Sequence, residues 1–288
     1  MTSVTLSVHI SLAALAMFVL KAWRSTAFAL YGYLNFTKAG FLEHSKRFKP
    51  EDMEAKIPGK NCIITGANSG IGYATAEGLA QRFVTFLLSV RSSHWHPDFP
   101  KRMFRFICWF ELNFTVNVLG PYTLTESMLP LLEKAAPDAR VITVSSGGMY
   151  ASPLTTDLMY SESNFKGVEQ YSRNKRVQVA LTEKWAEKYM NKGIGFYSMH
   201  PGWAETPGVA RSLPSFNEKL KGKLRTSEEG ADTVIWLALQ AKDKLVPGAF
   251  YFDRAEAPKH LKFAAATGSH ALIDSIISSL NSMASLSA

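Results

Sequence analysis

The chain has 288 residues, enough for one large α/β domain with an appendage. Its formal net charge of +8 favours an anionic partner, such as a phosphorylated cofactor or a membrane surface, although a plain basic surface is an equally good interpretation. The basic residues are scattered along the sequence, which argues against nucleic-acid binding. Cys62 and Cys108 are the two cysteines, so a disulfide framework is not expected and a reducing compartment fits.

The N-terminal stretch is apolar. Residues 4–20 contain no Asp, Glu, Lys or Arg, and Lys21 and Arg24 follow them. This run has the minimum length of a spanning helix, and we predict a membrane anchor that leaves the downstream catalytic domain in the cytosol. A cleaved signal peptide and a helix lying on the membrane surface are the alternatives. We assign residues 1–25 to this hydrophobic helix and residues 26–59 to an amphipathic lead-in segment.

A glycine-rich turn stands between a predicted strand and a predicted helix. Residues 61–64 are an apolar run typical of a buried parallel strand, and residues 73–81 are alanine-rich with helical spacing. The turn reads Thr-Gly-Ala-Asn-Ser-Gly-Ile-Gly over residues 65–72. Such a turn presents the free N–H groups of a helix N-terminus to a pyrophosphate, and it needs small residues. The sequence therefore predicts dinucleotide contacts at Gly66, Gly70 and Gly72.

A second strand is predicted over residues 83–90, and Arg91 follows its end. In a Rossmann unit an acidic residue at this position holds the ribose hydroxyls of NAD, whereas a cation suits the 2′-phosphate of NADP. Arg91 therefore favours NADP, with NAD as the alternative cofactor. An ordinary surface arginine is the competing interpretation.

The rest of the chain alternates predicted helices and strands. Helices are expected over residues 111–132, 171–190, 226–239 and 271–280, and strands over residues 140–144, 195–199 and 249–252. Thr226 and Glu229 have the spacing of a capping box at the start of their helix. This alternation predicts a doubly wound α/β fold with a parallel sheet, formed by residues 60–255 and followed by a tail helix within residues 256–288.

Four side chains are candidates for proton chemistry. Tyr171 and Lys175 are four residues apart and so share one face of a helix. A phenol has a reference pKa of about 10, and a nearby ammonium favours the phenolate, which makes proton exchange with an alcohol or carbonyl feasible. Ser146 ends a predicted strand, where it is expected to hydrogen-bond the same substrate oxygen. Asn117 is a candidate to hold a water that passes the proton outward.

In this order the motifs resemble the short-chain dehydrogenase/reductase family. The resemblance rests on the glycine turn, residues 113–120, Ser145 with Ser146, Tyr171 with Lys175, and Pro201-Gly202 with Thr206. It implies a Rossmann-type NAD(P)-dependent oxidoreductase whose catalytic residues are Asn117, Ser146, Tyr171 and Lys175. It also implies cofactor contacts at Asn68, Ser69, Ile71, Tyr171, Lys175, Pro201, Gly202 and Thr206.

One part of the family pattern is absent between Arg91 and Asn117. A complete member carries there a third strand, a fourth strand ending in Asn-Asn-Ala-Gly, and two helices. The fourth strand is central in the sheet, and its loss leaves buried amides unpaired at about 1–3 kcal/mol each. We therefore expect a truncated Rossmann fold. Residues 104–110 are either a surrogate strand or, as the preferred interpretation, foreign sequence that does not pack.

Two functions from different classes follow. The first is an NADP-dependent oxidoreductase that transfers a hydride to or from an alcohol or carbonyl on an apolar, lipid-like small molecule, with Tyr171 as acid and base. Its substrate lid is expected over residues 203–224. The second is a membrane-associated pseudoenzyme or binding protein that retains the tetrad without a cofactor pocket. No residue is assigned to a metal.

Overall fold

The structure, a computed structural model, describes residues 2–80, 82, 85–89, 110–160, 163, 165–264 and 270–286. Two sequence predictions fall outside these residues. They are the cofactor contact of Arg91 and the packing of residues 104–110, of which only Phe110 is described.

The N-terminal segment forms two helices, α1 (Thr2–Phe36) and α2 (Lys38–Ser45). The end of α1 is docked on the rest of the chain, because the Phe36 side chain is buried and its carbonyl accepts a 2.7 Å hydrogen bond from the Trp203 N–H. None of the helices in the described part of the chain combines the length and the apolar character needed to cross a membrane. The stretch predicted as an anchor is thus the first half of a longer helix with a packed end.

The described strands fall into two sheets. The first pairs β1 (Asn61–Thr65) in parallel with β2 (Thr85–Ser89). The second has the order β3-β4-β5-β6, in which the first three strands are parallel and the fourth is antiparallel. Its strands are β3 (Ala139–Val144), β4 (Ile194–His200), β5 (Phe250–Phe252) and β6 (Ala255–Ala257).

The last strand, β6, was not predicted from the sequence. It follows a two-residue turn in which Asp253 and Arg254 both have positive φ, at 47° and 58°. Turns of this kind usually contain glycine or asparagine, so the sequence gives no hairpin signal here. Ion pairs hold the turn instead, since Asp253 contacts Arg225 and Arg254 contacts Asp232.

The two sheets are separated where the family's fourth strand would lie. Among the described residues no strand pairs with the second edge of β1, and none joins β1 to β3. Ile63 of β1 is 42% exposed, although the sequence predicts a buried strand. The prediction of burial was wrong at this position because a parallel strand is expected to be covered on both faces, whereas in β1 the face of Cys62 and Ile64 is packed and the face of Ile63 is exposed.

The helices surround these sheets. They are α3 (Gly70–Ala80), α4 (Leu112–Phe114), α5 (Gly120–Lys134), α6 (Gly167–Lys188), α7 (Pro207–Ser212), α8 (Pro214–Lys219), α9 (Ser227–Leu239) and α10 (Ile273–Leu286). A π-helical turn, Thr115–Leu119, joins α4 to α5. Short 3-10 helices lie at Pro50–Met53, Gly147–Ala151, Met190–Lys192 and Lys242–Lys244. The predicted capping box of α9 is confirmed, because Thr226 and Glu229 each accept the other's backbone N–H.

Helix packing joins the two sheets. One buried cluster contains Ile64 of β1 and Leu79 of α3 together with Leu237 of α9 and Tyr197 of β4. The contact between α3 and α9 is close, since a Cβ added at Gly78 would lie 2.5 Å from Cδ1 of Ile235. The glycine turn is therefore held near the end of β4 by side-chain packing in place of strand hydrogen bonds.

Candidate active site

The glycine turn meets the loop that leaves β4. Gly66 and Gly70 have φ values of +71° and +56°, a conformation that favours glycine. A Cβ added at Gly70 would lie 3.1 Å from Cγ2 of Thr206, which is the N-cap residue of α7. A Cβ at Gly230 would lie 3.2 Å from Cγ1 of Ile71. The structure thus brings Gly70, Ile71 and Thr206, three predicted cofactor contacts, to one place.

The other predicted residues of the glycine turn lie where the turn leads into α3. The backbone of Asn68 and Ser69 lies between the two positive-φ glycines, and the Ser69 carbonyl accepts the N–H of Tyr73. A Cβ at Gly72 would collide with the Gly66 carbonyl oxygen at 2.2 Å, so the helix starts tightly against the strand end. The first N–H groups of α3 have no acceptor within the helix, which fits a bound pyrophosphate.

The serine turn, residues 145–148, follows the end of β3. The Ser145 hydroxyl donates to the backbone carbonyl of Lys175 at 2.9 Å. The Ser146 hydroxyl oxygen accepts the N–H of Gly148 at 3.1 Å, and the N–H of Gly147 donates to Nδ1 of His200 at 2.8 Å. The position of Ser146 is therefore fixed by α6 on one side and by the end of β4 on the other.

Tyr171 faces Ser146 across Gly148. A Cβ added at Gly148 would lie 3.5 Å from the Ser146 hydroxyl oxygen and 3.7 Å from Cε1 of Tyr171. Tyr171 is 36% exposed as a residue, but desolvation of its hydroxyl raises the phenol pKa, and a hydrogen bond with Ser146 opposes part of this rise. The hydroxyl groups of Ser146 and Tyr171, which the sequence predicts to share one substrate oxygen, thus lie close together beside Gly148.

Lys175 lies beneath the Tyr171 ring. Its Nζ is 5.3 Å from the ring centroid and donates to the Val144 carbonyl at 3.1 Å and to Oε1 of Gln178 at 3.2 Å. Burial lowers the pKa of Lys175 to about 8. The sequence predicts a phenol made more acidic by this ammonium, whereas in the chain alone the Tyr171 pKa moves upward. Burial disfavours the charged form of both groups, and this tertiary effect outweighs their proximity.

Asn117 contributes its backbone to the site. Its side-chain amide donates to the carbonyl and to Oδ1 of Asn113, both at 2.9 Å. Its own carbonyl accepts a 2.6 Å hydrogen bond from Nε2 of Gln178. Asn113 Oδ1 also accepts from Asn174 on α6 at 3.0 Å. The predicted water-holding role stays a prediction, and the group that faces α6 is a main-chain oxygen.

Pro201 and Gly202 lie just beyond β4, against a buried ion pair. Gly202 has φ +77°, and a Cβ there would lie 2.2 Å from Nε of Arg225. Arg225 is 1% exposed and donates to both carboxylate oxygens of Asp253, at 2.5 and 2.9 Å. The loop that carries the expected cofactor contacts of Pro201 and Gly202 therefore packs against the buried pair of Arg225 and Asp253.

Sequence reasoning missed two residues of this site, His200 and Gln178. His200 orients the serine turn through Gly147, and its burial holds its pKa well below the usual value, so the imidazole is neutral and can accept that N–H. Gln178 links Lys175 to Asn117. Its spacing of three residues from Lys175 on the same helix was the available signal.

Comparison with known proteins places the chain among named relatives. No protein-family model matches it. It is 38% identical over 314 aligned positions to dehydrogenase/reductase SDR family member 12 of Bos taurus, covering 91% of this chain and 98% of that protein. Identity to the Homo sapiens protein of the same name is 36% with the same coverage. Retinol dehydrogenase 11 of Mus musculus is 24% identical over 69% of this chain and 79% of its own length.

Solved structures share the fold at lower identity. A structure from Agrobacterium tumefaciens, assigned as a 2-deoxy-d-gluconate 3-dehydrogenase with bound NADP, has a TM-score of 0.51 at 20% identity, covering 68% of this chain and 94% of its own. A 4-hydroxyisoleucine dehydrogenase mutant complexed with NADH and succinate has a TM-score of 0.50 at 14% identity, covering 67% and 96%. The predicted α/β Rossmann-type fold is thereby confirmed. With its near full-length relatives and its motifs in order, the chain belongs to the short-chain dehydrogenase/reductase family.

Proposed function

We propose that the protein is an NADP-dependent oxidoreductase acting on an alcohol or carbonyl group of an apolar, lipid-like molecule. The observation that carries this proposal is the grouping of Ser146, Tyr171 and Lys175 at the end of β3, with the glycine turn held beside the loop after β4. The names of the relatives, dehydrogenase/reductase and retinol dehydrogenase, support the reaction class and an apolar alcohol as substrate.

The residues have separate roles in the proposed reaction. Gly66, Ser69, Gly70, Ile71 and Thr206 would hold the pyrophosphate side of the cofactor. NADP, when bound, supplies or accepts the hydride. In the direction of carbonyl reduction, the hydroxyl groups of Ser146 and Tyr171 orient the substrate oxygen, and Tyr171 donates its proton to that oxygen.

The phenolate left on Tyr171 then needs an electrostatic partner. The Lys175 ammonium, 5.3 Å from the ring centroid, stabilises that negative charge more strongly than it would in water, because the ammonium is buried and the phenol oxygen is desolvated. In the direction of alcohol oxidation Tyr171 starts as the phenolate, and its oxygen accepts the proton of the substrate hydroxyl. NAD remains the alternative cofactor, since Arg91 lies outside the described residues.

The competing proposal is a binding protein that lacks turnover. One observation favours it: among the described residues, β1 has no strand on its second edge. The two proposals are separated by mixing folded protein with NADPH and recording nucleotide fluorescence. The oxidoreductase proposal expects enhancement, weakened by Arg91→Glu, and expects that Tyr171→Phe abolishes turnover while NADPH affinity stays nearly unchanged. A folded sample without enhancement would leave the binding protein, and equal turnover in Tyr171→Phe would remove the proton-transfer role.

We also infer association of α1 with a lipid surface. Large apolar side chains of α1 are exposed, including Leu15 at 58%, Phe18 at 70% and Leu34 at 60%. No acidic residue precedes Glu43, so anionic lipid is favoured. Flotation with vesicles containing phosphatidylserine should recover the wild type and less of Phe18→Glu. The control Met190→Glu, at a 72% exposed site outside α1, should float like the wild type; equal flotation of Phe18→Glu would contradict the inference.

A further inference from the structure

Gln178 lies inside the candidate active site, one helical turn beyond Lys175 on α6, and is 5% exposed. Its Oε1 accepts from the Lys175 ammonium at 3.2 Å, and its Nε2 donates to the Asn117 carbonyl at 2.6 Å. An ammonium only donates and a carbonyl only accepts, so the two partners fix which end of the amide faces each of them. One side chain thus bridges two residues of the predicted tetrad.

The sequence explains why the Asn117 carbonyl can accept a hydrogen bond from Gln178. In an α-helix that oxygen would accept the N–H of the residue four positions on, which is Pro121, and proline has no N–H. The chain forms a π-helical turn here, in which the N–H of Gly120 donates to the Thr115 carbonyl five positions back. Gln178 supplies the donor that Pro121 lacks.

Lys175 also depends on the bridge. It is 7% exposed, and its acceptors are two neutral oxygens, from Val144 and Gln178. Among the described residues no carboxylate forms an ion pair with Lys175; the titratable group beside it is Tyr171. Removal of one acceptor therefore changes the stability of the ammonium directly, because a hydrogen bond to the charged form favours it.

We propose that Gln178 is a positioning residue, whose amide orients the Lys175 ammonium beneath Tyr171 and ties it to the main chain of the π-helical turn. Its consequence for turnover rests on the proposed oxidoreductase function. The bridge itself is a property of the protein without cofactor.

Two side chains of similar length, methionine and glutamate, fail to serve both ends of this bridge. Methionine has a similar length but offers neither the acceptor nor the donor. Glutamate keeps the acceptor for Lys175 but sets a carboxylate oxygen against the Asn117 carbonyl. The two variants therefore move the titration of Lys175 in opposite directions, which a loss of folding alone does not do.

The test is a titration of lysine side chains by nuclear magnetic resonance on full-length protein labelled with ¹⁵N-lysine, without cofactor. The signal missing from Lys175→Arg identifies Lys175. We expect Gln178→Met to lower its titration midpoint by about one pKa unit and Gln178→Glu to raise it by a similar amount. Gln240→Met is the matched control, since Gln240 is also buried and donates to the Asp52 carbonyl. It should leave Lys175 unchanged.

An unchanged Lys175 midpoint in folded Gln178→Met, or in the shape-conserving Gln178→Glu if the methionine variant does not fold, would overturn the proposal. Kinetics form a separate arm. If the wild type turns over, the pH profile of kcat in each variant should shift in the same direction as its Lys175 midpoint. If the wild type shows no turnover, the oxidoreductase proposal fails, while the titration still decides on the bridge.

Discussion

The buried pair of Arg225 and Asp253 makes a quantitative prediction about how the N-terminal helix is held. Arg225 is 1% exposed and its guanidinium donates to Asp253 and to the carbonyls of Asn35 and Phe36, at 2.8 and 3.0 Å. Asp253 also lies 2.6 Å from Nδ1 of His44 on α2. This carboxylate therefore balances the charge that binds the end of α1.

The perturbation is Asp253→Asn. Asparagine keeps the shape and tolerates the φ of +47° at this position, so the backbone is unchanged. The negative charge is lost, and one of the two oxygens that accept from Arg225 becomes an amide donor. Removing one partner of a buried pair leaves the other charge uncompensated, which costs about 3–5 kcal/mol. That is a large part of a typical stability of about 5–15 kcal/mol. We expect the thermal midpoint to fall by about 10 °C.

Asp232→Asn is the matched control. Asp232 forms the same kind of pair with Arg254, at 2.5 Å, but the side-chain exposures are 15% and 10%, against 3% and 1% for Asp253 and Arg225. Solvent compensates a more exposed charge, so we expect a loss of about 1 kcal/mol. Urea unfolding of both variants measures the difference. Equal losses would refute the reasoning that burial sets the cost, and Arg225→Met combined with Asp253→Asn should recover part of it.

Two further predictions concern the serine turn and acid stability. A Cβ in Gly147→Ala would lie 2.7 Å from His200 Nε2 and 2.7 Å from Phe36 Cε2, so we expect kcat to fall while NADPH affinity, measured by fluorescence, is retained; an unchanged kcat would contradict it. Glu183 contacts His270 and Lys259, and these contacts lower its pKa from 4.5 to about 2. The stabilisation that the Glu183 carboxylate contributes is therefore full above pH 4.5 and is lost as the pH falls towards 2. Glu183→Gln should make the thermal midpoint less dependent on pH over this range.

Local signals predicted most of the elements. The strands over residues 140–144 and 195–199 are observed as β3 and β4, because each is a short apolar run bounded by turn residues. The capping box predicts the start of α9 for the same local reason. The hairpin of β5 and β6 escaped prediction because ion pairs distant in sequence, and not glycine, hold its turn.

The membership of the candidate site stays a prediction, and the structure shows only which of its residues lie together. Helical spacing alone puts Tyr171 and Lys175 on one face. The direction of the Tyr171 pKa depends on how deeply its hydroxyl is buried, and the bridge of Gln178 depends on a helix 61 residues away in sequence. Both features depend on residues that are distant in sequence, so local sequence patterns cannot predict them. Pro121 indicates from the sequence that the Asn117 carbonyl lacks its α-helical N–H donor. Which group donates in its place can be identified only once the position of α6 is known.

Among the described residues no strand lies between β1 and β3, yet the two halves of the site are packed together. Strand hydrogen bonds between β1 and β3 are absent among the described residues, yet Val144 of β3 and Ile64 of β1 pack in the same cluster as α9. The carbonyl of Val144 accepts from Lys175, and Thr206, the N-cap of α7, contacts Gly70. Side-chain packing is less directional than a strand ladder, so it fixes the relative position of the halves with more freedom. Among the described residues, the cofactor side and the proton-transfer side are thus joined by side-chain packing without strand pairing, and a dinucleotide bound between them would bridge both.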